Sequence, residues 1–168
     1  SKEACRFVLG CGRAGLFVDY PPTDGLTSRA QQIAGNIRPK VKAFKARDVI
    51  NWRYYQKGAK LLPSMVVLRE TYTVQDDGFE TIEAPQYREL RIVDGKYKVQ
   101  LWRAKANPEG KVDPKATNFE VFETSFPRGG NGEQLDEIPF TFIGSLNNDQ
   151  TVDPAPMLDI CNVNVGHY

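Results

Sequence analysis

The chain has 168 residues, and its 22 basic and 21 acidic side chains leave a formal net charge of only +1. A hydrophobic fraction of 40% with 11% aromatic residues excludes a disordered tail. No stretch approaches the roughly 20 apolar residues that cross a bilayer, and no N-terminal signal peptide is evident, so we expect no membrane association. The length predicts a single domain over residues 1–168.

The N-terminal third predicts short helices around one strand. Apolar residues recur at helical spacing from Lys2 to Cys11, and Gly10 or Gly12 is a suitable end for this first helix. An apolar strand at 16–18 then stops at two prolines, and a second short helix is expected over 26–34.

From residue 38 onward the sequence is typical of β-structure. Asp94-Gly95 between two alternating runs is the strongest hairpin signal in the chain, and 107–115 is predicted to be a polar loop. Together with 16–18, the predicted strands are 41–44, 49–55, 65–74, 87–93, 97–102, 119–126 and 138–143.

Asp153-Pro154 predicts the start of a C-terminal helix, with Asp as the cap and Pro at the first helical position. Pro139 indicates either that the last strand lies at a sheet edge or that the strand starts at this proline. The predicted fold class is therefore α+β, a mostly antiparallel β-sheet with short N-terminal helices and a C-terminal helix.

Residues suited to catalysis are scarce. The three cysteines, Cys5, Cys11 and Cys161, have no disulfide-framework spacing and are expected to be reduced, small apolar side chains. The one histidine, His167, is the penultimate residue, which disfavours zinc sites, catalytic triads and histidine acid–base chemistry. We therefore predict no catalytic, metal or cofactor-binding residues, and we expect that the protein is not an enzyme.

Residues 10–15 match G-x-G-x-x-G literally, but their context is wrong for a dinucleotide site. That motif must follow a strand and open a helix, whereas here a short apolar run leads directly to two prolines. We interpret the segment as a glycine-rich corner between a helix and a strand. The single Arg128-Gly129-Gly130 and the Asp76-Asp77-Gly78 run are likewise interpreted as turns, and not as RNA-binding or calcium sites.

Charge is divided unevenly along the chain. Residues 1–60 hold 12 basic and 4 acidic side chains, whereas residues 61–168 hold 10 and 17. The basic half peaks at 38–47, where an extended chain would place Lys40 and Lys42 on one face and Val41 on the other. This run is either a solvated strand edge protected by lysines, or a surface that meets phosphate or the acidic face of a neighbouring subunit. No sequence-reading nucleic-acid motif accompanies it.

Three stretches resemble a family of tailed-bacteriophage portal proteins, long catalogued as a domain of unknown function. They are 12–21 (GRAGLFVDYP), 46–53 (ARDVINWR) and 137–144 (EIPFTFIG), the last followed by the helix at 156–165 and its end at 166–168. The first stretch is the most specific of the three. Met157 and Cys161 stand where the family would have Leu and Ala, a volume change that leaves the packing intact.

The resemblance implies a structural role. Portal subunits form a ring, usually of twelve copies, at one capsid vertex of the virion, assembled in the cytoplasm of the bacterial host. Double-stranded DNA passes through the ring without sequence specificity, and terminase, capsid and head-completion proteins are the partners. This chain looks like the outer β-rich wing region of a longer subunit, with the start of the helix toward the stem. A small β-rich binding module of a bacterial protein is the alternative.

A closed ring requires two different surfaces on each subunit to meet. We therefore expect basic residues of the first 60 to meet acidic residues of a neighbour, a hypothesis that charge reversal at Lys40 and Lys42 across a salt series would test. Contact of the same lysines with DNA phosphates is the competing use, and it would weaken steeply with salt.

Overall fold

A computed structural model describes residues 2–20, 38–105, 117–129 and 132–165. It contains two antiparallel sheets, of three and five strands, with one helix near each end of the chain, which confirms the α+β class. The predicted helix at 26–34 and the predicted polar loop at 107–115 lie outside the described residues. No helix in the described ranges is long and apolar enough to cross a membrane.

All eight predicted strands are present. In chain order the elements are α1 (Lys2–Cys11), β1 (Arg13–Asp19), β2 (Lys40–Lys45), a 3-10 turn (Ala46–Asp48), β3 (Val49–Lys57), β4 (Lys60–Asp76), β5 (Thr81–Val93), β6 (Lys96–Ala104), β7 (Phe119–Ser125), β8 (Phe140–Gly144) and α2 (Leu158–Val165).

The chain divides into two compact units. Unit 1 comprises Ser1–Val49 and Pro139–Tyr168, and unit 2 comprises Ile50–Ile138. Unit 2 is therefore an insertion, in sequence, between the two halves of unit 1.

Unit 1 is built on a sheet of order β2-β1-β8, with β1 antiparallel to both neighbours. Alternation along the strands places an aromatic cluster on one face of this sheet. Phe140 and Phe142 pack edge to face at 5.1 Å between ring centroids, as aromatic pairs prefer. The buried members of the cluster are Phe17, Phe44, Phe140 and Phe142.

Helix α1 contributes to the core of unit 1. Ala4 of the helix and Ala14 of β1 are both buried, and the Lys45 ammonium lies 5.5 Å from the centre of the Phe7 ring. The helix spans the predicted residues, and its end is fixed by Gly12. The Gly12 N–H donates to the Val8 carbonyl at 2.8 Å, with φ at +71°, a left-handed conformation that favours glycine.

Unit 2 is a five-stranded meander of order β3-β4-β5-β6-β7. The predicted hairpin turn at Asp94-Gly95 is confirmed. The φ angles of the two residues are +51° and +72°, and both are positive, as a type I′ turn requires. One face carries the buried core: Val66 lies opposite Leu90, and Leu90 lies opposite Val99. The segment before Ile138 is fastened to this sheet, because Tyr97 N–H donates to the Leu135 carbonyl at 2.7 Å.

Several strands are longer than predicted, β4 and β5 most of all. β4 and β5 extend beyond the predicted 65–74 and 87–93, and each extension contains a proline, Pro63 in β4 and Pro85 in β5. Pro85 is one residue beyond the last β5–β6 pair, Gln86 with Arg103. Because β6 does not pair with β5 at Pro85, the N–H group that proline lacks removes no hydrogen bond between these two strands.

The predicted start of the C-terminal helix is wrong. α2 begins at Leu158, and Asp153-Pro154 belongs to the loop that precedes it. The Asp153 carboxylate does not cap the helix because it lies five residues before Leu158, and its Oδ2 atom accepts the N–H groups of Leu146 and Asn147 on the other side of its loop. Pro139 precedes β8, and β8 is an edge strand, as predicted.

Gly15 provides a direct test of packing in unit 1. A Cβ on Gly15 would lie 2.8 Å from the Phe140 ring and 3.1 Å from a Val49 methyl group. We expect Gly15→Ala to lower the free energy of unfolding by about 1–3 kcal/mol, the usual cost of overpacking, in urea denaturation.

Gly10→Ala is the matched control, since nothing lies within 4 Å of its Cβ position and Gly10 is within α1. Alanine is the better helix former there, so stability should be unchanged or higher by up to about 1 kcal/mol. Equal losses for the two variants would contradict the packing assigned to Gly15.

Candidate functional site

The glycine-rich corner at 10–15 joins α1 to β1, so helix precedes strand. This order is the reverse of the one that a dinucleotide motif requires, and it confirms the predicted corner. Gly12 is needed for close approach of two backbones, because a Cβ there would overlap the Asp153 carbonyl oxygen. The corner therefore serves the packing of unit 1.

The loop between β8 and α2 is fastened by Asp153 and Arg13. The Asp153 Oδ2 atom accepts the backbone N–H groups of Leu146 at 2.8 Å and Asn147 at 3.0 Å. The N–H groups of Asn147 and Leu146 lower the pKa of the Asp153 carboxyl, because they stabilise its charged form. From β1, the Arg13 guanidinium donates to the Gln150 carbonyl at 2.6 Å and stacks 4.6 Å from the centre of the Phe142 ring.

The first candidate interaction surface is the basic edge, which we define as residues 38–47 on and beside edge strand β2. It contains Arg38, Lys40, Lys42, Lys45 and Arg47 and no acidic residue.

The lysines of the basic edge are not equivalent. Lys42 is bound within the subunit, its Nζ atom 2.7 Å from Asp19 Oδ2. Lys40 is exposed and forms no ion pair with any residue in the described ranges. Val41, between them, is 65% exposed. The strand-edge geometry fits both a lysine-protected edge and a contact surface, and Lys40 is the lysine available to a partner.

The second candidate surface is the arm, which we define as residues 71–85 in the outer halves of β4 and β5. The β5–β6 pairs begin at Gln86, so β6 does not run alongside the arm. β3 has nine residues and joins β4 through the two-residue turn at Gly58, so it accompanies only the first half of β4. The arm is therefore a two-stranded extension of the sheet of unit 2.

The tip of the arm is held in one conformation by its own carboxylates. Asp77 Oδ1 accepts the N–H groups of Phe79 at 2.9 Å and Glu80 at 2.7 Å, and Asp76 Oδ1 accepts that of Gly78 at 2.9 Å. The N–H groups of Glu80 and Phe79 lower the pKa of the Asp77 carboxyl. This arrangement confirms the predicted turn and leaves the Phe79 side chain fully exposed.

A polar cluster fastens the base of the arm to the sheet. Glu70 of β4 accepts hydrogen bonds from Gln86 at 3.0 Å and Arg88 at 3.1 Å, both on β5. Gln86 in turn accepts one from Arg103 of β6, whose guanidinium lies 4.2 Å from the centre of the Tyr72 ring. The contacts connect three strands, so the base of the arm is held while its tip projects.

Helix α2 has no buried residue. Leu158, Ile160 and Val163 are all exposed, although they are the apolar residues that a packed helix would bury. A hydrogen bond connects the start of α2 to α1: the N–H of Met157, the residue before α2, donates to the Leu9 carbonyl at 3.3 Å.

The three cysteines are free thiols, and all three are exposed. His167 lies outside the described residues. Within the ranges that the structure describes, no three His, Cys, Asp or Glu side chains are grouped as metal ligands. The sequence did not single out Phe79; the signal that could have found it is an aromatic residue beside an Asp-Asp-Gly turn in an acidic, lysine-free segment.

No protein-family model matches the chain, and no curated protein matches it significantly.

The two hydrogen bonds that Asp153 Oδ2 accepts from Leu146 and Asn147, which we call the Asp153 clasp, predict a pH effect on stability. Because the folded state lowers the pKa below its ordinary value of 3.8, the stabilisation is complete at neutral pH and is lost as pH falls through the folded value. Asp153→Asn should therefore be less stable than the parent at pH 7, and the difference should shrink toward pH 3 in urea denaturation.

Glu123→Gln on β7 is the control for this comparison, because Glu123 is exposed and accepts no hydrogen bond from another described side chain. It should follow the parent at each pH. An Asp153→Asn difference that is constant from pH 7 to pH 3 would contradict the clasp.

Proposed function

We propose that this chain is the wing-like part of a portal subunit of a tailed bacteriophage or prophage. In this role it is a structural component of a ring at the capsid vertex, through which DNA is packaged and later ejected. The proposal begins from the three stretches that resemble portal proteins, at 12–21, 46–53 and 137–144.

One observation carries the proposal: the three stretches meet in space. The first and third supply the central and edge strands β1 and β8, paired from Arg13 with Gly144 to Phe17 with Phe140. The second begins with the 3-10 turn and places the Val49 methyl group 3.1 Å from the Cβ position of Gly15. Stretches that specify a common fold are expected to pack on one another, as these three do, and this supports the proposal.

The surfaces of the chain also suit a ring subunit. A ring needs a heterologous contact, in which one face of a subunit meets a different face of its neighbour. The basic edge and the acidic arm are two such unlike faces. In a longer portal subunit α2 begins the helix toward the stem, and its exposed apolar residues would be covered there.

The proposed role implies the partners of a portal protein. They are further copies of the chain, usually twelve in a ring, together with terminase, capsid and head-completion proteins. Double-stranded DNA passes through the channel, and its recognition carries no sequence specificity. The protein would be part of the virion and would assemble in the cytoplasm of the bacterial host.

Electron microscopy of the full-length protein tests the proposal. We expect closed rings with a central channel, because heterologous contacts between identical subunits close when their rotation permits. A full-length protein that stays monomeric at every concentration would contradict the portal role and would favour the small β-rich binding module.

A further inference from the structure

We propose that the arm of one copy binds the basic edge of a neighbouring copy, with Phe79 against Val41 and Glu80 against Lys40. The inference rests on the proposed ring, since it identifies the surfaces through which neighbouring copies meet. It commits both charged surfaces to protein contact and removes the lysines of the basic edge from DNA contact.

The outer part of the arm lacks the support of a third strand among the described residues, although Ala84 near its base is buried. Two-stranded hairpins are marginally stable in water without a third strand or a packed face, and the arm extends beyond both β3 and β6. Its tip presents a whole phenylalanine ring to solvent at Phe79. Because the Asp76 and Asp77 hydrogen bonds fix the tip beforehand, little conformational freedom remains to be lost on binding.

The charges of the two surfaces are complementary. Residues 71–85 contain four acidic and no basic side chains, and residues 38–47 contain five basic and no acidic ones. Lys42 is neutralised within its own subunit by Asp19, whereas Lys40 has no such partner among the described residues. Such complementarity sets the choice and orientation of partners, and it steers their encounter.

The apolar groups are complementary as well. Val41 is the exposed apolar residue of the basic edge, and Phe79 is that of the tip. Residues 40 and 41 are neighbours on edge strand β2, and residues 79 and 80 are neighbours in the turn at the tip, so a tip that lies across the edge of β2 can meet both residues of the pair. An aromatic anchor flanked by charges is typical of the energetic centre of an interface.

Cysteine cross-linking tests the contact directly. In full-length protein with Cys5, Cys11 and Cys161 changed to Ser, we combine Val41→Cys with Phe79→Cys and add a short bismaleimide to the multimer. Each thiol adds across one maleimide double bond, so no oxidant is needed. We expect a ladder of covalent dimers, trimers and higher species from the double variant, and no ladder from either single variant.

Charge reversal tests the same contact without cysteines. At low salt, Lys40→Glu and Glu80→Lys should each raise the concentration needed for assembly by about tenfold, and the double variant should restore it. Lys60→Glu and Glu123→Lys make the same charge changes at exposed positions of β4 and β7, outside both surfaces, and should leave assembly unchanged.

The outcomes separate the two proposals. Rings that give neither a ladder nor charge-swap rescue would overturn the arm contact and leave the portal role standing. A ladder from open filaments without rings would support the contact and overturn the portal role. Protein that remains monomeric throughout would overturn both.

Discussion

Unit 1 depends on the pairing of β1 with β8. Arg13 reaches the Gln150 carbonyl, 137 positions away in sequence, and β1 is joined to β8 from Arg13 with Gly144 onward. Asp153 packs against the end of this strand pair, because its carboxylate occupies the space that a Cβ on Gly144 would need. A pairing so distant costs loop-closure entropy, and the aromatic face and the Asp153 clasp offset that cost.

The insertion of unit 2 follows from this pairing. The chain leaves unit 1 after Val49 and returns at Pro139, so unit 1 is complete only when its two halves meet. Unit 2 is a meander of neighbouring strands, whose pairing is local, and it carries the arm beyond its own sheet. Unit 1 therefore supplies the basic edge, and unit 2 supplies the acidic arm. The two oppositely charged surfaces belong to different units of one subunit.

Local chemistry made much of this fold predictable. The spacing of α1, the Asp94-Gly95 turn and the strand pattern are properties of short segments, and each is present as predicted. Asp153-Pro154 was misassigned because Asp accepts N–H groups equally well from a helix start or from a loop, and only the fold decides which. The predicted strands ended at Val74 and resumed at Tyr87, so the outer part of the arm was missed. Whether Pro85 is tolerated in β5 depends on how far β6 extends, which is not a property of the local sequence.

Hydrogen exchange of the full-length protein, compared between dilute monomer and assembled multimer, distinguishes backbone amides that are protected within one subunit from those that only a neighbouring copy covers. We expect unit 1 and unit 2 to be folded before assembly, with the basic edge of unit 1 and the arm of unit 2 covered only by a neighbouring copy. Backbone amides of β1 and β8 should be protected in both states, while those of the arm and the basic edge should slow markedly on assembly. Arm amides that exchange equally fast in both states, or β1 and β8 amides that gain protection only on assembly, would contradict this expectation.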